Sequence, residues 1–172
     1  MKSNLNLGRL IVITILCFAF ACQKDSSVAS RSFLMGFSPW HYDNTLEAQS
    51  WTYDKIITYG DIISEHMEEG VPWQESYDGS PFPQSFIDEI QSRIALKGIK
   101  QKVLLQISPL NVSRNGLANY RGTLPNQTLP EEWSNLAFND DKVKVAFLNY
   151  AKRMVQYFAP DYLLVGVESN LL

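Results

Sequence analysis

The chain has 172 residues, 45% of them hydrophobic and 12% aromatic, enough apolar material for one domain-sized core and too much for an intrinsically disordered protein. Its 15 basic and 18 acidic residues leave a formal charge of -3, and two of the basic ones, Lys2 and Arg9, lie in the leader, so nothing favours nucleic acid as a partner. The two cysteines, Cys17 and Cys22, both fall at the start of the chain, which leaves none to build a disulfide framework in the domain.

Lys2 and Arg9 precede the apolar run Leu10 to Ala21, which has the length of a secretory h-region and is too short to span a bilayer. The run closes on Ala19-Phe20-Ala21-Cys22, which resembles the lipobox of bacterial lipoproteins. That resemblance implies a signal peptide over 1–21, cleavage before Cys22 and lipidation of its thiol. The mature protein is then tethered to a membrane of the cell envelope, the outer one in this reading, without crossing it. Ordinary secretion with cleavage near Ala21 is the alternative. Residues 22–32 are polar and small and read as a flexible spacer, with the folded domain expected over 33–172.

From Phe33 onward short apolar runs alternate with helical patterns. Phe33 to Phe37 is a first strand, ended by Ser38-Pro39-Trp40-His41-Tyr42, where Pro39 cannot donate to a ladder. Thr52 to Tyr59, beginning as early as Leu46, is helical, and Gly60 stops it. Asp61 to Met67 is a second strand, and the acidic, turn-rich stretch Glu68 to Glu75 is a loop. Phe86, Ile87, Ile90 and Ile94 repeat at helical spacing between Pro83 and Gly98. Val103 to Ile107 is a third strand, and the connection from Asn111 to Asn139 is longer than joining two elements requires. A last helix over about Asp140 to Phe158 buries Val143, Phe147, Tyr150, Met154, Val155 and Phe158, with Asp140 and Asp141 at the positive end of its dipole.

Ala159-Pro160-Asp161 then feeds a fourth strand, Tyr162-Leu163-Leu164-Val165-Gly166-Val167, which delivers one carboxylate, Glu168, at its end. An apolar run without a polar break fits a strand buried on both faces. The strand-helix alternation predicts an α/β fold with a parallel sheet.

This order of elements, the stretch Gly36-Phe37-Ser38-Pro39-Trp40 and the glutamate closing the fourth strand together resemble the clan of retaining glycoside hydrolases built on the (β/α)8 barrel, with the closest look to the family 53 endo-galactanases. The resemblance covers residues 33–172 and implies that Glu168 is the general acid/base. Val167 stands where the clan carries an asparagine that contacts the sugar 2-hydroxyl. The clan's nucleophile closes a seventh strand. With four strands supplied, the sequence reads as the N-terminal half of a TIM barrel truncated after strand four, and the polypeptide as given is expected to be inactive.

In such a barrel the loops leaving the C-terminal ends of the strands form the cleft. Trp40 and Trp73 follow strands directly and are the better candidates for stacking on sugar rings, ahead of Tyr42 and Trp133; each is equally readable as a hydrophobic plug under its own loop. His66, at the end of the second strand, is a candidate to bond substrate or orient a carboxylate, and Asn111 a candidate hydroxyl partner. Glu65, Glu68, Glu69 and Glu75 read as a solvated acidic turn. No metal-ligand spacing, phosphate-cradling loop or Ser-His-acid order is apparent, so no cofactor is expected. Hydrolysis of a poly- or oligosaccharide is the leading function, and a lipid-anchored glycan-binding protein without catalysis is the alternative.

Overall fold

A computed structural model describes residues 31–167. The chain divides into two compact units, Met1–Phe33 and Leu34–Leu172, and every element named below belongs to the second. The proposed signal peptide, Cys22 and Glu168 all lie outside the described residues. No helix among the described residues is long and apolar enough to cross a membrane.

In chain order the elements are β1 (Gly36–Phe37), α1 (Leu46–Tyr59), β2 (Ile62–Met67), α2 (Trp73–Asp78), α3 (Gln84–Leu96), β3 (Lys102–Ile107), α4 (Glu131–Ser134), α5 (Asp141–Phe158) and β4 (Tyr162–Val165). The strands form one sheet in the order β1-β2-β3-β4. Every pairing is parallel. Three expectations change. β4, expected to be buried on both faces, is exposed at all four of its residues, Tyr162 to Val165. The first strand is shorter than the apolar run that suggested it, because only Gly36 and Phe37 find partners, Ile62 and Ile63. Part of the expected acidic loop is helical, with α2 beginning at Trp73.

Local chemistry explains the helix ends. Thr45 caps α1 by accepting a hydrogen bond from the Ala48 amide at 3.2 Å. Gly60 closes α1 for want of space, since a Cβ there would lie 2.9 Å from the Ile56 carbonyl oxygen. At α5, Asp140 precedes the helix as expected, but its carboxylate accepts from the Ala137 amide at 2.6 Å instead of a helical N–H.

The strand alternation sorts the sheet into two faces. Ile63, Glu65 and Met67 of β2 share a face with Val103, Leu105 and Ile107 of β3, and all six are buried. Ile63 and Val103 pack with Tyr53 and Ile56 of α1. Met67, Leu105 and Ile107 join a larger cluster with Phe86 and Ile90 of α3 and Val143, Tyr150 and Met154 of α5. The opposite face carries Ser64, His66, Leu104 and Gln106, with Tyr162 and Leu164 of β4 in register beyond them.

Within the larger cluster, α2 is fastened to α5 by polar contacts. The Asn149 amide donates to the Ser76 carbonyl at 3.0 Å, and Arg153 donates to the carbonyls of Glu75 and Ser80 at 3.0 and 2.9 Å. On the helix side, Leu163 and Val165 of β4 and Phe147, Leu148 and Val155 of α5 line an apolar groove of about 770 Å³.

Candidate functional site

The chemistry gathers on the other side, where β1 and β2 end. Ser38, Pro39, Trp40 and His41 follow β1, and Glu68 and Glu69 follow β2. Trp40, His41, His66, Glu68, Glu69 and Arg93 are among the residues lining a cleft of about 240 Å³ there. A neighbouring recess of about 330 Å³ shares His41, Glu69 and Arg93 and reaches the start of α1.

Trp40 is 77% exposed. Its ring centroid lies 5.7 Å from that of His66, the two planes tilted by 50°. His66 itself is held from below: its Nε2 lies 3.0 Å from the Ser38 hydroxyl and 2.8 Å from the Gln106 amide nitrogen. That amide nitrogen also donates to the Ser64 hydroxyl. Burial holds the imidazole below its usual pKa, Glu68 opposes the shift and Arg93 adds to it.

Behind the sheet lies a second polar network. Glu65, 2% exposed, accepts from the Tyr53 hydroxyl at 3.0 Å and pairs with Arg93 at 3.1 Å. Arg93 also pairs with Glu89 at 2.8 Å, and Glu89 with Arg121 at 2.9 Å. Burial raises the Glu65 carboxyl above its ordinary range, and the Arg93 charge and hydrogen bond pull the other way. The expectation of a solvated acidic turn therefore fails for Glu65. It is a buried carboxylate kept by a cation. Glu68 is tied to Arg114 at 3.1 Å.

Of the candidate substrate-binding residues, Trp40 and His66 come together and Trp73 and Asn111 do not join them. Trp73 is fully buried, stacks on Trp133 with centroids 5.6 Å apart, and donates its indole N–H to the Ala118 carbonyl at 2.8 Å. It is a core residue with no face left for a ligand, and Trp133, also fully buried, is its counterpart. The Asn111 amide is occupied within its own loop. It donates to the Asn115 side chain at 3.0 Å and accepts from the Asn115 amide at 3.2 Å. Tyr42 is 69% exposed and meets Trp51 edge-on instead of facing the cleft.

The sequence reading missed Ser38, Gln106 and Arg93. Gln106 had a signal: it is the one polar residue inside Val103 to Ile107, and the parallel register sets it beside His66. Among the described residues no group of three or more His, Cys, Asp or Glu side chains is placed to hold a metal ion. The apolar groove between α5 and β4 is larger than the cleft, but its charged side chains are only Lys144 and Lys152. A comparison with family models, curated proteins and solved structures finds no match to this chain.

Proposed function

We propose that the chain carries the sugar-binding cleft of a glycoside hydrolase built on a (β/α)8 barrel, acting on a poly- or oligosaccharide with retention at the cell envelope, where a lipid on Cys22 anchors it. The observation that carries this reading is Trp40. Its largely free aromatic face stands beside a hydrogen-bonding histidine over a polar cleft at the C-terminal end of a parallel sheet. A four-stranded parallel sheet with helices between its strands is compatible with the first half of such a barrel.

In the retaining reaction Glu168 gives its proton to the glycosidic oxygen as a second carboxylate attacks the anomeric carbon. The bond to the leaving sugar breaks, and a glycosyl-enzyme ester forms. Glu168 then takes a proton from water, which attacks the same carbon and releases the sugar. The second carboxylate must stand about 5–5.5 Å from Glu168.

One observation favours binding without turnover. Val167 stands before Glu168, where the clan carries an asparagine that contacts the sugar 2-hydroxyl. The test is calorimetric titration of the full chain with neutral tetraoses of β-1,4-linked galactose, glucose, mannose and xylose. At least one binds, and Trp40→Ala weakens it by about tenfold or more while the unfolding midpoint stays put. Failure of all four to bind overturns the reading. In a chain extended to supply the second carboxylate, sugar release abolished by Glu168→Gln identifies the enzyme, and unchanged affinity in that variant without turnover by its parent identifies the binding protein.

A further inference from the structure

We propose that Gln106 is a positioning residue that holds His66 as a neutral imidazole protonated on Nδ1, so that the ring offers one N–H donor to an oxygen of the bound sugar. The inference rests on the reading of this cleft as a sugar site, but the state of the ring is testable without any sugar.

The hydrogen-bond inventory leads to the tautomer. An amide nitrogen carries two N–H donors and no lone pair to accept with. Gln106 directs one N–H to the Ser64 hydroxyl and the other to His66 Nε2, at 2.8 Å. Nε2 must then be the bare nitrogen, and the neighbouring Ser38 hydroxyl, 3.0 Å away, is near enough only to share its single lone pair. The ring proton therefore resides on Nδ1, which has no hydrogen-bond partner among the described residues. The pairing of β2 with β3 sets His66 and Gln106 side by side, so the tautomer follows from sheet register.

The surroundings agree with a neutral ring. The titratable groups around the cleft are Glu68 and Glu69 from the loop after β2, Arg93 from α3, Tyr53 from α1 and His41 from the loop after β1. Burial is the largest influence on the ring and disfavours its charged form. A neutral imidazole with its acceptor nitrogen occupied is neither a general base nor a ready metal ligand. It is a hydrogen-bond donor beneath an aromatic platform, suited to a hydroxyl or ring oxygen of a sugar stacked on Trp40.

The test is long-range ¹H–¹⁵N correlation on the uniformly ¹⁵N-labelled full chain. The sequence contains two histidines, so a His41→Gln variant assigns His66. The expected spectrum at neutral pH shows a protonated Nδ1 and a bare Nε2, with a midpoint of titration below 6.5. Gln106→Glu replaces the amide donor with a carboxylate acceptor. It should move the proton to Nε2 and raise the ring's proton affinity about tenfold or more, a change that a merely structural role for Gln106 would not produce. A ring protonated on Nε2 in the parent chain would show that Gln106 turns its oxygen to the histidine and would overturn the inference. If that variant fails to fold, the spectrum of the parent decides alone. Absence of sugar binding with the Nδ1 tautomer present would overturn the functional reading and leave the positioning role of Gln106 intact.

Discussion

Trp73→Ala separates a core tryptophan from a sugar-stacking one. Trp73 is fully buried, with its ring on Trp133 and 6.3 Å from Phe147, and its indole N–H satisfies the Ala118 carbonyl. A buried tryptophan removes roughly 150–250 Å² from water, and truncating one to alanine costs about 3–5 kcal/mol once the residual cavity is included. The orphaned carbonyl works in the same direction. Against a total stability of about 5–15 kcal/mol this is a large share. With a urea m-value near 2 kcal/mol/M the midpoint should fall by roughly 2 M. Far-UV circular dichroism is the appropriate probe, because the substitution removes a fluorophore. Trp73→Phe keeps an aromatic ring but loses the N–H and should fall between the parent and Trp73→Ala. A Trp73→Ala chain that unfolds at the parent's urea concentration yet no longer binds sugar would refute the core assignment.

Two further perturbations test the elements around the cleft. Burial sets the Glu65 carboxyl above its ordinary value of 4.5 in the folded chain, so between the two pKa values the folded state binds more protons than the unfolded one, and Glu65 loses stability as pH rises through that window. The unfolding free energy of the parent minus that of Glu65→Gln should therefore decline with rising pH from about 4.5 and level off above the folded pKa; urea midpoints measured across that range would show it, and a difference that climbs with pH would contradict it. Gly70 has φ of +109°, and a Cβ there would lie 2.7 Å from the Asn119 carbonyl oxygen, so Gly70→Ala should cost about 2 kcal/mol or more and disturb Glu68 and Glu69 beside it. Thermal unfolding together with sugar titration reads both effects, and an unshifted melting temperature would count against the strained turn.

The parts of the fold legible in the sequence are those set by local chemistry. β3 and β4 are largely apolar runs bounded by Gly98 and by Pro160 and Asp161, β2 is a mixed run after Gly60 and Asp61 with Ser64, Glu65 and His66 inside it, and the stripe on α5 has a clear helical period. Trp40 and Trp73 show where that reading stops. Each follows a strand within a few residues, and nothing nearby in sequence distinguishes them. Trp73 is claimed by Ala118, 45 residues away, and by Trp133, whereas Trp40 meets only the edge of the cleft and stays 77% exposed among the described residues. Asn111 is the opposite case, since its partner Asn115 lies only four residues on, in an arrangement of a kind asparagine often adopts in turns. Glu65 carried an unused signal: it has the same strand phase as Ile63 and Met67, which puts its carboxylate on the buried face and calls for a cation there.

That phase links stability to the site. β2 carries a charged network around Glu65 on one face and an uncharged one around His66 on the other, and Arg93 of the charged network also lines the cleft. Glu65 faces Tyr53 and Arg93, and the next residue, His66, faces Ser38 and Gln106. A slip of one residue would exchange the two, leaving an imidazole against Arg93 and a carboxylate beneath Trp40. Ile63 and Met67 resist the slip, because each would leave the core for the cleft side. Arg93 adds a second restraint: the Nη1 that pairs with Glu65 also donates to the His66 carbonyl at 3.4 Å. The ion pair behind the sheet thus fixes the backbone of the residue whose ring lies in front of it. Breaking that pair should loosen the cleft, although Arg93 is 20% exposed and Glu65 never reaches the Trp40 side.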